Sequence, residues 1–140
     1  MQSEDVVAYA RECLGTPFHH QGRVVGKDGG LDCVGVLIHI AKRCGRTPQD
    51  KQAYPRTGDG AALRRCLADN GLSLLSQEEG HRAGDVLLFR VDSRRSPGHV
   101  GVRTSDGLVQ ALWKLRCCEI TYPDDLWLDR FVEAWRFPNG

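Results

Sequence analysis

A thiol, an imidazole and a neutral side-chain amide can together carry out acyl transfer, and this chain offers them in that order as Cys33, His99 and Gln110. Cys33 lies in the run GGLDCVGVL, between a glycine-rich stretch and an apolar segment that reads as a buried helix. At a helix N-terminus the unpaired backbone N–H groups and the macrodipole favour an anion, which predicts a lowered thiol pKa and a populated thiolate. The same N–H groups can hold the oxyanion formed when a thiolate attacks a carbonyl. Taken alone, such a segment more often marks a structural cysteine that opens a core helix.

A thiol nucleophile needs a base within reach. His99 opens the run HVGVRT directly after the turn residues SRRSPG, which places it at the start of a strand, a rigid support for an imidazole. His39 falls six residues after Cys33, which is not a same-face helical spacing, and reads as structural. His19 and His20 lie in the loop before Cys33, where they can touch a substrate, and His81 precedes a turn and reads as solvated. Gln110 lies on GLVQALW, joined to the His99 strand through Asp106-Gly107, so a cross-strand approach to the imidazole is natural. Its amide oxygen can accept the imidazole N–H and fix the tautomer without the negative charge of an aspartate. A polar residue on the solvent face of a strand is the commoner reading of a lone glutamine.

These groups need elements to carry them. Ser3 can cap a helix running to about Leu14, with Val6, Val7, Ala10 and Leu14 on one face and Gly15 and Pro17 as its stop. Thr16 to Leu31 is glycine-rich without a period and reads as a loop. From Cys33 to Ala41 the chain is apolar nearly all round, which predicts a buried central helix ending at Gly45. Ala61 to Asn70 predicts a third, amphipathic helix with Leu63 and Leu67 inward. The period then changes: DVLLFRV, HVGVRT, GLVQALW, LRCCEIT and FVEAWRF read as strands of an antiparallel sheet, with a helical turn at Asp124 to Leu128. Asp106-Gly107 is the strongest local hairpin signal. Helices first and strands second give an α+β layer architecture in one domain spanning residues 1–140.

Nineteen basic against eighteen acidic side chains leave a net charge of +1, so no global field draws the chain to nucleic acid or anionic lipid. No stretch is long and apolar enough to span a membrane, and the acidic start MQSEDVVAYARECLG is unlike a signal peptide, so the chain is expected to be made in the cytoplasm without one. Without that signal the six cysteines are expected to be mostly reduced, with Cys13, Cys44 and Cys66 as core filler. No CxxC pair is present, and adjacent Cys117 and Cys118 face opposite ways on a strand, so no metal is expected.

Together these segments resemble the NlpC family of bacterial and phage cell-wall cysteine peptidases, a compact papain-like fold, over nearly the whole chain. LGTPFHHQG is similar to the family's loop before the nucleophile, LDCVGVL to its nucleophile helix, AGDVLLFRV to the strand before the base, GHVGV to the base motif and GLVQAL to the strand of the third polar residue. FVEAWRFP resembles the C-terminal strand of the phage-encoded branch. The resemblance implies N-terminal helices packed on a C-terminal antiparallel sheet. It also implies hydrolysis, without cofactor, of an amide in peptidoglycan stem peptides, typically between D-glutamate and a diamino acid. By the same likeness Cys33 attacks, His99 protonates the leaving amine, and Asp32 helps receive the substrate's free amino end, its other reading being a helix N-cap. Phe18 and Val34 would border the substrate where the family commonly has tyrosine and many members have serine, and Gln110 stands where histidine is frequent. The phage branch implies a tail-associated enzyme, with phage tail proteins as partners. Two other readings stay open: a structural tail component with a vestigial site, and a thiol amidase or acyltransferase acting on another substrate.

Overall fold

The computed structural model describes residues 2–51, 54, 60–91 and 97–138. Helix α1 covers Ser3–Arg11, with Glu4 and Asp5 in its first turn and Arg11 in its last, the polarity that suits the macrodipole. It stops a turn short of the expected Leu14, because the chain coils through Gly15 at φ +84°. Consequently Cys13 is buried, while Leu14 is 40% exposed. Inside the expected loop, β1 (Arg23–Val24) and β2 (Gly30–Leu31) form a small antiparallel pair. Helix α2 covers Cys33–Arg43, with Val34, Val36, Leu37, Ile38, Ile40 and Ala41 buried, and Gly45 follows at φ +78°. Helix α3 covers Gly60–Asp69 with Leu63 and Leu67 inward.

The second half forms the antiparallel sheet that its period predicts. Strands β3 (Ser73–Leu74), β4 (Val86–Arg90), β5 (Pro97–Arg103), β6 (Gly107–Gln110) and β7 (Cys118–Thr121) are followed by helix α4 (Asp125–Arg130) and strand β8 (Phe131–Arg136). Their spatial order is β3-β8-β4-β5-β6-β7. The β5–β6 hairpin forms at Asp106-Gly107, but neither residue has positive φ, so it is not the two-residue mirror-image turn their pairing suggests. Gly107 is required for another reason: a Cβ there would stand 2.7 Å from the Ile120 carbonyl oxygen.

Alternation along the strands gives the sheet two apolar faces. One buries Val86, Leu88, Val100, Val102 and Val109 in the core shared with α1, α2 and α3. The other buries Leu87, Phe89 and Leu108 against Tyr122, Trp127 and Ala134. The architecture is α+β with helices on an antiparallel sheet.

Candidate active site

Asp32 sets the start of α2. Its backbone is extended and one carboxylate oxygen accepts the Gly35 N–H at 2.8 Å, so it is the N-cap. The same carboxylate accepts the Gln21 N–H at 2.8 Å, Arg23 Nη1 at 3.0 Å and the Tyr54 hydroxyl. Arg23 also grips Asp50 through Nε and Nη2, and it donates to Tyr54. Asp32 is 3% exposed and fully engaged, which is how a buried carboxylate is tolerated. Tyr54, which the sequence does not single out, joins this network from the segment between α2 and α3; an isolated tyrosine in a polar stretch carries no local signal.

Cys33 follows as the first helical residue, half-buried. The N–H groups of Val100, Val34 and Cys33 itself are directed at its sulfur and favour the thiolate. They do not prevail. Burial and the neighbouring Asp32 push the thiol up to about 12, against the lowering that helix position alone predicts. The physical reason is that the charge removed from water costs more than three N–H dipoles return.

His99 is the third residue of β5, and most of the expected turn before it lies outside the described residues. Ladder pairs between β5 and β6 occur at Val102–Val109 and Arg103–Leu108. Past them, His99 Nε2 and Gln110 Oε1 meet at 2.8 Å, both groups buried. With Nε2–H donating to that oxygen, Nδ1 is left as the basic nitrogen. The imidazole is walled by Trp127, centroids 5.6 Å apart, and by Phe89 at 6.2 Å. Burial in this setting lowers its pKa to about 4; the Gln110 bond opposes the shift and Arg130 adds to it. Strand β5, which carries His99, packs against α2, which Cys33 opens, and the Val100 N–H next to His99 acts on the Cys33 thiol. Burial thus favours the neutral form of both side chains.

Val34 is 4% exposed, so its side chain belongs to the core and its N–H faces the sulfur. Phe18 is half-buried against the same core, bridged to Leu31 two residues before Cys33. His39 Nε2–H donates to the Glu12 carboxylate at 2.8 Å, a structural contact between α1 and α2. His20 packs edge-on to Tyr54, and His19 lines a surface depression with Arg23, Val24 and Asp28. His81 is not solvated as expected; it packs on Phe131 and meets Arg103 Nη1 at 2.8 Å. No cluster of three or more metal-ligating side chains occurs among the described residues.

No family model matches the chain, and no curated protein matches it. Solved structures do. An NlpC/P60 family protein from Bacillus cereus superposes with TM-score 0.70 at 23% identity, over 98% of this chain and 40% of its own. A protein similar to lipoprotein, of the NLP/P60 family from Staphylococcus aureus, gives 0.63 at 18% over 99% and 42%. The P60 domain of an antigen from M. avium subspecies paratuberculosis gives 0.61 at 15% over 96% and 93%. The chain thus spans about two-fifths of the first two proteins and nearly all of the third domain, and it has the NlpC/P60 papain-like fold.

Proposed function

We propose that the chain is an NlpC/P60 cysteine peptidase that hydrolyses amide bonds in peptidoglycan stem peptides, at the bond between D-glutamate and a diamino acid. The observation that carries this reading is the buried His99–Gln110 hydrogen bond on β5, the strand packed against the helix that Cys33 opens. His99 Nδ1 takes the thiol proton as sulfur attacks the carbonyl carbon, and the N–H groups at the start of α2 face the developing oxyanion. The imidazolium returns the proton to the leaving amine. Water, deprotonated by the same nitrogen, then opens the thioester and regenerates the thiol. Neutral resting groups suit this sequence, because proton transfer from sulfur to nitrogen creates both charges together, each next to the other. Asp32, held by four donors, serves the substrate's amino end only if one of them is displaced, and Tyr54 is the neutral one among the side chains. We further infer action at the cell wall as part of a phage tail assembly, supported by the C-terminal run FVEAWRFP.

Cys33→Ala should abolish release of stem-peptide fragments from purified peptidoglycan while thermal unfolding stays unchanged. Mass analysis of wild-type fragments identifies the bond. Equal release by both proteins overturns the assignment of Cys33.

A further inference from the structure

Helix α4 brings a cation to the base, and no carboxylate among the described residues neutralises it. Asp124 accepts the Trp127 N–H at 2.9 Å and so fixes the start of the helix. Trp127, 9% exposed, lies against the His99 imidazole, and the Arg130 guanidinium carbon sits 5.5 Å from the centroid of the same indole. Arg11, Arg23, Arg43, Arg64 and Arg136 are each seated on a carboxylate. Arg130 has no such partner among the described residues, although Asp125 and Asp129 share its helix. Behind it Arg90 Nη2 donates to the Asp129 carbonyl at 2.5 Å, and the Arg90 Nε–H is buried without a partner. Two guanidinium groups therefore reach α4, and one of them, Arg130, acts on an imidazole that must become positive during catalysis. A cation there opposes that protonation. An anion brought by the substrate would remove the opposition and gain a charge-assisted hydrogen bond as well.

We propose that Arg130, laid on Trp127 beside His99 and backed by Arg90, receives a carboxylate that the substrate carries next to the scissile amide. The inference rests on the peptidase reading and names a feature of its substrate. The planar guanidinium fork donates two parallel hydrogen bonds to a carboxylate, and the indole beneath it limits where the fork can lie. A carboxamide in the same place brings no charge and offers only one acceptor. Binding of the acid therefore does two things: it anchors the peptide and it makes His99 a better base.

The test uses three synthetic γ-D-glutamyl–diamino acid peptides: one with both neighbouring carboxyls free, and two in which one or the other is amidated. Hydrolysis is measured for the wild type, Arg130→Gln and Arg130→Lys. Binding is measured with Cys33→Ala protein, alone and combined with Arg130→Gln, through the Trp127 indole N–H resonance. One amidation should lower wild-type kcat/KM about tenfold, the scale of one charge-assisted bond. Arg130→Gln should lose that discrimination in both hydrolysis and binding, while Arg130→Lys keeps part of it. Discrimination that persists in Arg130→Gln, or its absence for both amidations in the wild type, overturns the proposal. If no peptide is cleaved yet binding still depends on Arg130 and on one carboxylate, the carboxylate site stands and the peptidase reading falls.

Discussion

Cys33 and His99 are held neutral by the same cause, removal from water, and this governs how each responds to pH. With the thiol near 12, alkylation of Cys33 by iodoacetamide should be slow at pH 7 and climb as pH rises towards that value. A rate already level between pH 6 and 8 would instead reveal a resting thiolate–imidazolium pair. The imidazole gives an independent signal. Its ordinary value of 6.5 falls to about 4 in the fold, so as pH drops the unfolded chain takes up the proton first. The stability this group contributes is complete above pH 6.5 and is lost as pH falls through about 4, about 3 kcal/mol in all. Denaturant midpoints of His99→Ala should therefore fall less between pH 6.5 and 4 than those of the wild type. Gln110→Ala should lower kcat on the order of 10²-fold, because an imidazole without an acceptor at Nε2 no longer favours the tautomer that leaves Nδ1 free.

Position of the sulfur is decided one level up, where α2 begins. Gly35, one turn into the helix, lies so close to the β1 segment that a Cβ there would stand 2.5 Å from the Gly22 carbonyl oxygen. That carbonyl accepts Arg23 Nη1 at 2.8 Å, and Arg23 in turn holds Asp32. Gly35→Ala should cost about 1–3 kcal/mol by overpacking, read as a lower unfolding temperature. Its effect on peptide release should exceed that stability loss, since the shift passes through Gly22, Arg23 and Asp32 to Cys33. The α2 helix itself is legible in the sequence, because Asp32 is a good cap and the apolar run ends at a glycine. The loop before it is less so. β1 and β2 are two residues each, too short for a period to appear.

Across the whole molecule, β5 from the second half packs against α2 from the first, and β6 is paired to β5. The β4–β8 side of the sheet is fastened by an ion pair whose carboxylate is buried. Asp85, 1% exposed, accepts Arg136 Nε and Nη2, each at 2.9 Å, and the Arg82 N–H at 2.8 Å. Arg136→Leu would leave this carboxylate with one donor, so unfolding midpoints should show a loss of about 2–4 kcal/mol; a loss below 1 kcal/mol would mean the pair is dispensable. The elements were largely readable from hydrophobic period and turn residues, since those signals are local. The cross-strand His99–Gln110 contact and the place of Cys33 at the start of α2 were readable too, because the hairpin signal and the helix cap are local. What only the tertiary structure decided depends on residues distant in the chain: the raised thiol and depressed imidazole, Tyr54 on Asp32, and an arginine on Trp127 beside His99. Burial and charge proximity are sums over neighbours that packing supplies, and a linear sequence does not list them.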